Sequence, residues 1–595
     1  MANFARPGVY IQEVALQQSV QPANTANAVG AFAGALPKGP TTAPVLVSTW
    51  TDFVKAFGGL NDSYPTTWAA YNFFANGGRN LYVKRVIGAS SATGSVVIND
   101  GPGTTTNVTA TVTAASATDG TITYTATNTF AVGQTVSITG LSTSAFNLTS
   151  VTIATRSSSQ FTVTSAATGT AVTGASGVAT VAVTTAPNAV FTVSAVNPGE
   201  WSSEYSVVIK AAGTSNRFGI EVYQTNIVGG STSTNLVESY TDLSMTSTDR
   251  NFVRSVINSN PTSVITIGST GFNASRFPGV TVVGGGTLAG GADGVAPVRT
   301  DYSASWSTFD SVVNPLVMYA PDAPYAATGT LTAQIHGDAV AYAAGRADAF
   351  VVVDTPSGLS VAAAQEQITA TSAVFAANNT GNIAASYYPW YNIPDPTKSI
   401  GVTRLQAPGA GVVGQYLATD AARGPAKTPA GLQNVMALAV STEHLFTNAE
   451  LDAINTSVDP INAIRQVPGA GIVIMGGRTL DNTPNNRYIN LRRSLIYIKK
   501  SMEDLTSFAV FENNDSELWS QINNTLNSFL RTYWEANGLR GTNPSQAFYV
   551  LCDGTNNPFT EIQAGRVNIE VGVALEYPAE FVVIKLGQLT GNASA

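Results

Sequence analysis

The sequence predicts a multidomain protein of mixed class, α/β with additional all-β domains, and three observations carry this. At 595 residues the chain is too long for one hydrophobic core. From Tyr302 onward, apolar strand-like runs alternate with helix-length segments, the pattern of a largely parallel sheet covered on both faces. Between 101 and 187 only Asp119 and Arg156 are charged, and short alternating runs of Thr, Ser, Ala and Val replace any helical period.

Residues 1–27 read as an N-terminal arm and linker. Val9, Tyr10, Ile11, Gln12, Glu13 and Val14 alternate with the period of a strand, Pro7-Gly8 interrupts regular structure before them, and the polar stretch 17–27 contains Pro22. Residues 28–94 read as the first part of an α/β core. A strand at 43–48 leads to a helix through Phe57 that Ser48 or Thr49 can cap and Gly58-Gly59 stops. Pro65 opens a second helix ended by Gly77-Gly78, and 81–86 is a strand. Residues 95–186 read as an inserted all-β domain. Turns recur about every ten residues, and Phe130, Val136, Ile138, Phe146 and Phe161 fall at strand-like positions; this predicts an immunoglobulin-like β-sandwich against a disordered low-complexity stretch. Residues 187–295 form a second β-rich unit with a helix at 249–258, closed by Gly284-Gly285-Gly286 and Gly290-Gly291 as a hinge. Residues 296–479 are the main α/β part, with strands at 316–319 and 349–354 and helices at 329–345 and 360–377. Residues 480–595 form a C-terminal domain. It has a long helix at 485–505, a second at 516–536 ended by Asn537-Gly538, strands at 547–552 and 566–575, and a terminal strand of Phe581, Val582, Val583, Ile584, Lys585 and Leu586.

Charged residues make up 11%, against about a quarter in ordinary soluble domains. The net charge of −8 is spread thinly, which offers nucleic acid or a membrane surface no electrostatic hold. The single cysteine, Cys552, excludes an intrachain disulfide. Residues 1–14 lack a basic region followed by an apolar run, and no stretch of about 18 apolar residues occurs. Neither a signal peptide nor a membrane span is expected, and a reducing cytoplasm is the simplest folding compartment.

Acid–base and nucleophilic catalysis draw on a base near neutral pKa, most often histidine. Only His336 and His444 are available. His336 falls on an expected surface helix, His444 lies in Ser441-Thr442-Glu443-His444, and neither adjoins a nucleophile motif; no G-x-S-x-G occurs. One Cys and two distant His do not make a zinc site. The triple glycine at 284–286 lacks the Lys-Ser/Thr of a phosphate loop. Acidic residues are sparse and unclustered, which disfavours the paired carboxylates of a glycosidase. No catalytic residue, metal or cofactor is expected. The most basic stretch holds Arg487, Arg492, Arg493, Lys499 and Lys500. It reads as a nucleic-acid patch, as a solvated face paired with Glu503 and Asp504, or as a seat for an acidic protein partner.

Several motifs occur in order across about 500 residues. They are Arg6-Pro7-Gly8-Val9-Tyr10-Ile11-Gln12-Glu13, Ala33-Gly34 to Gly39-Pro40, and Asn76-Gly77-Gly78-Arg79-Asn80-Leu81-Tyr82-Val83-Lys84-Arg85-Val86. Asn197-Pro198-Gly199-Glu200-Trp201, Ala407-Pro408-Gly409-Ala410-Gly411, Asp420 to Pro425 and Gly476-Gly477-Arg478-Thr479-Leu480 follow, then Tyr488-Ile489-Asn490-Leu491-Arg492-Arg493 and Pro578-Ala579-Glu580-Phe581. The ordered set resembles the contractile tail sheath family of myovirus-type phages; the insert at 95–186 lies outside it.

The resemblance implies a subtilisin-like α/β core without a catalytic triad, a β-rich inner domain and a C-terminal α+β domain. It implies a structural subunit that polymerises around an inner tail tube protein, with baseplate and tail terminator proteins at the ends, and that contracts to drive the tube through a cell envelope. The protein would then sit in a virion tail assembled in the host cytoplasm, although a defensive or secreted injection particle fits the same motifs. Chain-end arms, Val9 to Val14 and Phe581 to Leu586, would add strands to a neighbouring C-terminal domain. Arg492, Arg493, Lys499 and Lys500, or the segment 557–566, would face an acidic tube. The competing reading from another class is a secreted or surface β-domain adhesin, favoured by the Thr-rich insert and opposed by the alternating second half.

Overall fold

Val29–Ala35, Leu316–Tyr319 and Ala349–Asp354 are apolar on both faces, and they form the middle of an eight-stranded sheet. A computed structural model describes residues 27–580 apart from 213, 215, 229–230, 282–285 and 376–379. These residues divide into two units, one from the segments up to 91 and from 293 onward, the other from 92–292. In the first unit the sheet order is Val45–Val47, Leu81–Val86, Val29–Ala35, Leu316–Tyr319, Ala349–Asp354, Ala384–Tyr388, Ile461–Val467 and Gly471–Met475. The inner pairings are parallel, and an antiparallel strand closes each edge.

Strand periodicity sorts the side chains. Ala31, Met318, Val351 and Val353 pack with Trp306, Ile335, Ala339 and Ile368 on one face. Phe32, Val317, Phe350 and Val352 pack with Phe53, Trp68, Phe73 and Val413 on the other. Full burial of such a side chain is worth roughly 1.5–3 kcal/mol; truncating Phe73 to Ala removes that and leaves a cavity, costing about 3–5 kcal/mol. Local signals hold as well. The Thr49 Oγ1 accepts from the Asp52 N–H at 3.1 Å and caps the helix Trp50–Phe57, which Gly58 ends at φ 98°.

Gly411 of the 407–411 motif and Gly414, three residues further along the same helix, serve packing. A Cβ at Gly414 would lie 2.5 Å from the Phe73 carbonyl oxygen, and one at Gly411 would lie 2.5 Å from Tyr391 Oη, so helix Gly409–Arg423 presses directly onto helix Pro65–Ala75. The first N–H of that helix, at Gly409, donates to Asp354 Oδ2 at 2.7 Å, and the Tyr319 hydroxyl donates to the same oxygen at 2.7 Å.

In the second unit, Ser95–Asn99, Ala189–Ala195 and Ile265–Ile267 form one antiparallel sheet, and Tyr205–Ala211, Phe218–Val228 and Ser231–Leu243 form another over a shared core. The strand at 95–99, expected in the insert, belongs to this β-rich part through its pairing with Ala189–Ala195. The expected hinge also shifts. Gly284 and Gly285 lie outside the described residues. Thr287 and Ala289 bridge Ser206 and Ser95, and a Cβ at Gly291 would lie 2.1 Å from Ser202 Oγ, so these glycines allow close packing within the unit.

The insert is a closed barrel, not the expected sandwich. Its strands run Val172–Thr185, Thr104–Thr118, Thr121–Thr125, Gln160–Thr164, Val151–Arg156 and Thr135–Thr139 before returning to the first. Alternation reports which face points inward but not whether the sheet closes. Closure comes from the length of Thr104–Thr118 and Val172–Thr185 and a register shift between Thr173 and Gly177. Aromatic side chains fill the barrel: Tyr124 stacks on Phe161 at 5.1 Å, and Phe130 meets the same ring edge-on at 5.4 Å.

The C-terminal part is built on two long helices, Ile489–Thr506 and Ser516–Glu535, with the short helices Pro544–Ala547 and Phe559–Gln563 and a two-stranded sheet. Asp515 caps the second helix by accepting from the Glu517 and Leu518 N–H groups at 3.0 Å. Asn537, at φ 60°, turns the chain after it.

Candidate intersubunit site

Motifs separated in sequence meet where the α/β sheet joins the C-terminal helices. Arg478 and Glu580 form a two-pronged ion pair, Nε to Oε1 and Nη2 to Oε2, both 2.7 Å. The Tyr488 hydroxyl donates to Glu580 Oε2 at 3.0 Å, and Arg478 Nη1 donates to the Asn455 carbonyl at 2.6 Å. Burial pushes the Glu580 carboxyl up, but the hydrogen bonds and charge of Arg478 and the Tyr488 bond outweigh it and hold the group below the usual carboxylate range. Charge-assisted pairs with this geometry are the strong ones. The clamp fixes the residue immediately before Phe581.

One helical turn further on, Arg493 is buried and pairs with both carboxylate oxygens of Asp420, its guanidinium 4.7 Å above the Tyr416 ring. Burial raises the Asp420 carboxyl, and Arg493 acts against that. Asn490 Nδ2 donates to the carbonyls of Ala426 at 3.0 Å and Glu576 at 2.8 Å. The first two turns of Ile489–Thr506 therefore tie together the motifs at 420–425, 476–480 and 578–580. A cleft of about 580 Å³ lies beside these ties, walled by Ala426, Met475 and Tyr577.

The two-stranded sheet pairs Phe548–Leu551 with Glu570–Val573 in antiparallel register, Phe548 opposite Val573 and Leu551 opposite Glu570. Phe548, Val550, Val571 and Val573 pack against the core of the two helices, which includes Ile522, Leu526 and Leu530. On the outer side the Tyr549 ring lies across Gly572, where an added Cβ would be 2.1 Å from Tyr549 Cε1, and its hydroxyl donates to Glu570 Oε1 at 2.7 Å. Among the described residues the sheet has two strands, so each has an outer edge with no ladder partner. Such edges are templates for further strands.

The expected arm strands, Val9 to Val14 and Phe581 to Leu586, lie outside the described residues. The four expected tube-contact residues do not share one surface. Arg493 is committed to Asp420, and Lys500 is buried, with Nζ 3.4 Å from both Glu503 Oε2 and Asp504 Oδ1. Arg492 is half-buried and Lys499 is exposed. An amphipathic helix turns two of the four inward, which a count of charges along the sequence does not reveal. His336 is likewise buried rather than on a surface helix: its Nε2 accepts from the Asp354 N–H at 3.4 Å, and burial pushes its pKa down to about 3. His444 Nε2 sits 3.2 Å from Glu450 Oε1, its ring beside those of Tyr388 and Phe446.

Comparison with known proteins reaches part of this assembly. Residues 481–586 match the family model of the phage tail sheath C-terminal domain. The tail sheath protein of Vibrio phage KVP40 is 26% identical over 179 residues, 29% of this chain, and the match spans about a quarter, 25%, of that relative. The anti-feeding prophage helical sheath in its contracted state shares the fold at a TM-score of 0.51, covering 98% of this chain and 99% of that one at 17% identity. A sheath tail protein from Listeria innocua does so at 0.50, covering 89% of each chain at 11% identity.

Proposed function

We propose that this chain, which carries a phage tail sheath C-terminal domain and the fold of contractile sheath proteins, is the repeating structural subunit of a contractile tail sheath. The observation that supports it most directly is the open two-stranded sheet of the C-terminal domain, together with the Arg478–Glu580 clamp at the root of the terminal strand. Phe581 to Leu586 of one subunit and Val9 to Val14 of another add to the edges of that sheet in a neighbour. Each backbone hydrogen bond so formed contributes roughly 0.5–1.5 kcal/mol net. A few per arm make a tether that leaves the body of each subunit free to reorient. Contraction is then a switch between two packings of linked subunits, the extended one metastable.

The partners under this reading are other copies of the chain, an inner tail tube protein, and baseplate and tail terminator proteins. The particle is a virion tail or a related injection device, assembled in the host cytoplasm. The α/β body takes the place of the subtilisin-like part of sheath subunits. Lys499, Arg492 and the segment 557–566 are the candidates for tube contact. The barrel decorates the subunit. Negative-stain electron microscopy of the purified protein tests the core of this: the full chain forms hollow striated tubes, and a variant lacking residues 1–15 stays folded but forms none. Full-length tubes from the deletion variant would refute the arm mechanism.

A further inference from the structure

A second cleft, of about 720 Å³, opens in the first unit where the described chain begins. Its floor is Leu316, Val317 and Phe350 at the starts of two sheet strands, and its wall is Leu417 of helix Gly409–Arg423 and Ile496 of helix Ile489–Thr506. Arg79 stands at the rim, exposed and outside every ion pair found among the described residues. Asn27 and Ala28 line the same cleft. Asn27 is held there by Asn314, whose Nδ2 donates to its carbonyl at 3.2 Å, and Val29 enters the sheet by donating to the Pro315 carbonyl at 2.9 Å. The described chain therefore starts at the cleft itself.

We propose that this cleft is the seat of the chain's own segment 17–26, docked in cis. The chemistry of Gln17-Gln18-Ser19-Val20-Gln21-Pro22-Ala23-Asn24-Thr25-Ala26 suits it. The segment carries no charge, so burial strands no ion. Val20, Pro22 and Ala23 offer small apolar surface to the floor, and its backbone carbonyls are acceptors for the guanidinium of Arg79. Ten residues in extended form reach about 33 Å, enough to cross the cleft and set the direction in which Val9 to Val14 leave the subunit. Seating in cis makes the arm's launch point a property of each subunit, independent of its neighbours. The cleft and its occupant concern the isolated chain, so their failure would leave the sheath reading standing.

Disulfide trapping of the full-length chain tests this at a concentration where it is monomeric. Cys552 is buried and gives little background. Ala421 is exposed and lines the cleft, so the pair Ala23→Cys with Ala421→Cys places both thiols at accessible positions. The control pairs Ala23→Cys with Ile400→Cys, a fully exposed position of the same unit that does not line the cleft. Under mild oxidation the cleft pair closes an intramolecular disulfide in the monomer at least tenfold faster than the control. Equal rates overturn the proposal, and so does a product that is only disulfide-linked dimer, which would place a second copy's segment in the cleft. Hydrogen exchange gives an independent reading: amides of 17–26 are protected in the unmodified chain, and Ala421→Trp, which obstructs the cleft, removes that protection. Rapid exchange of 17–26 in the unmodified chain would overturn it.

Discussion

Asp354 shows what burial does to a single carboxyl group. It ends a buried parallel strand and points at a helix N-terminus, a place where open α/β sheets often bind an anion. Here the anion is the chain's own carboxyl group. Burial pushes its pKa up to about 7, although the Tyr319 and Gly409 hydrogen bonds favour the charged form. A carboxyl raised in the folded state binds its proton more tightly there than in the unfolded chain. Its contribution is complete below the unfolded value of about 3.9 and is lost as pH rises toward 7. Asp354→Asn keeps an oxygen acceptor for both donors and does not titrate. Its stability relative to the parent therefore improves between about pH 4 and pH 8, by on the order of 2–4 kcal/mol, measured by urea unfolding at both ends. A constant difference between the two proteins would show that Asp354 does not titrate in that range.

At the level of elements, one ion pair holds the chain immediately before residue 581. Glu580 is held below the ordinary carboxylate range, so its contribution exists above the unfolded pKa of about 4.3 and disappears as pH falls through the folded value. Glu580→Gln gives up the charge-assisted bonds to Arg478 and costs about 1–3 kcal/mol at neutral pH. The melting temperature falls accordingly at pH 7, and the gap to the parent narrows below about pH 4. Under the proposed arm mechanism the same variant also weakens tube formation, because Glu580 adjoins the arm segment 581–586. A pH-independent gap would mean the loss comes from packing alone.

The motif residues around the clamp were legible one by one, but their convergence was not. Arg478 and Glu580 are 102 positions apart, and Asp420 and Arg493 are 73 apart. No local period links such pairs. The inward turn of Arg493 and Lys500 was hidden for a related reason. A helix of mean polar character spreads its cations around its axis, and only the neighbouring elements decide which are covered.

On the scale of the whole molecule, the barrel is a separable module. Its core of Tyr124, Phe146, Phe161 and neighbours is its own. Its two ends lie together: Asp100 N–H donates to the Asn188 carbonyl at 3.0 Å, and Asn188 N–H returns a bond to Asp100 Oδ1 at 2.9 Å. Replacing residues 104–185 by a short Gly-Ser link therefore leaves the remainder folded, with cooperative melting, and tubes still form. Aggregation of the shortened chain would show that the barrel supports the fold instead of decorating it.

Much of the protein was decided by sequence alone. The strands at 81–86, 316–319 and 349–354, a cap at Ser48 or Thr49, the helix ends at Gly58 and Asn537, the uncharged insert and the ordered motifs all follow from local chemistry, which acts over a few residues and leaves a readable period or turn signal. Closure of the insert into a barrel, transfer of the strand at 95–99 to the neighbouring sheet, burial of His336 and the meeting of Arg478 with Glu580 were decided only by tertiary structure. Each depends on which distant surface an element is packed against, and alternation of apolar residues says that a face is buried without saying by what.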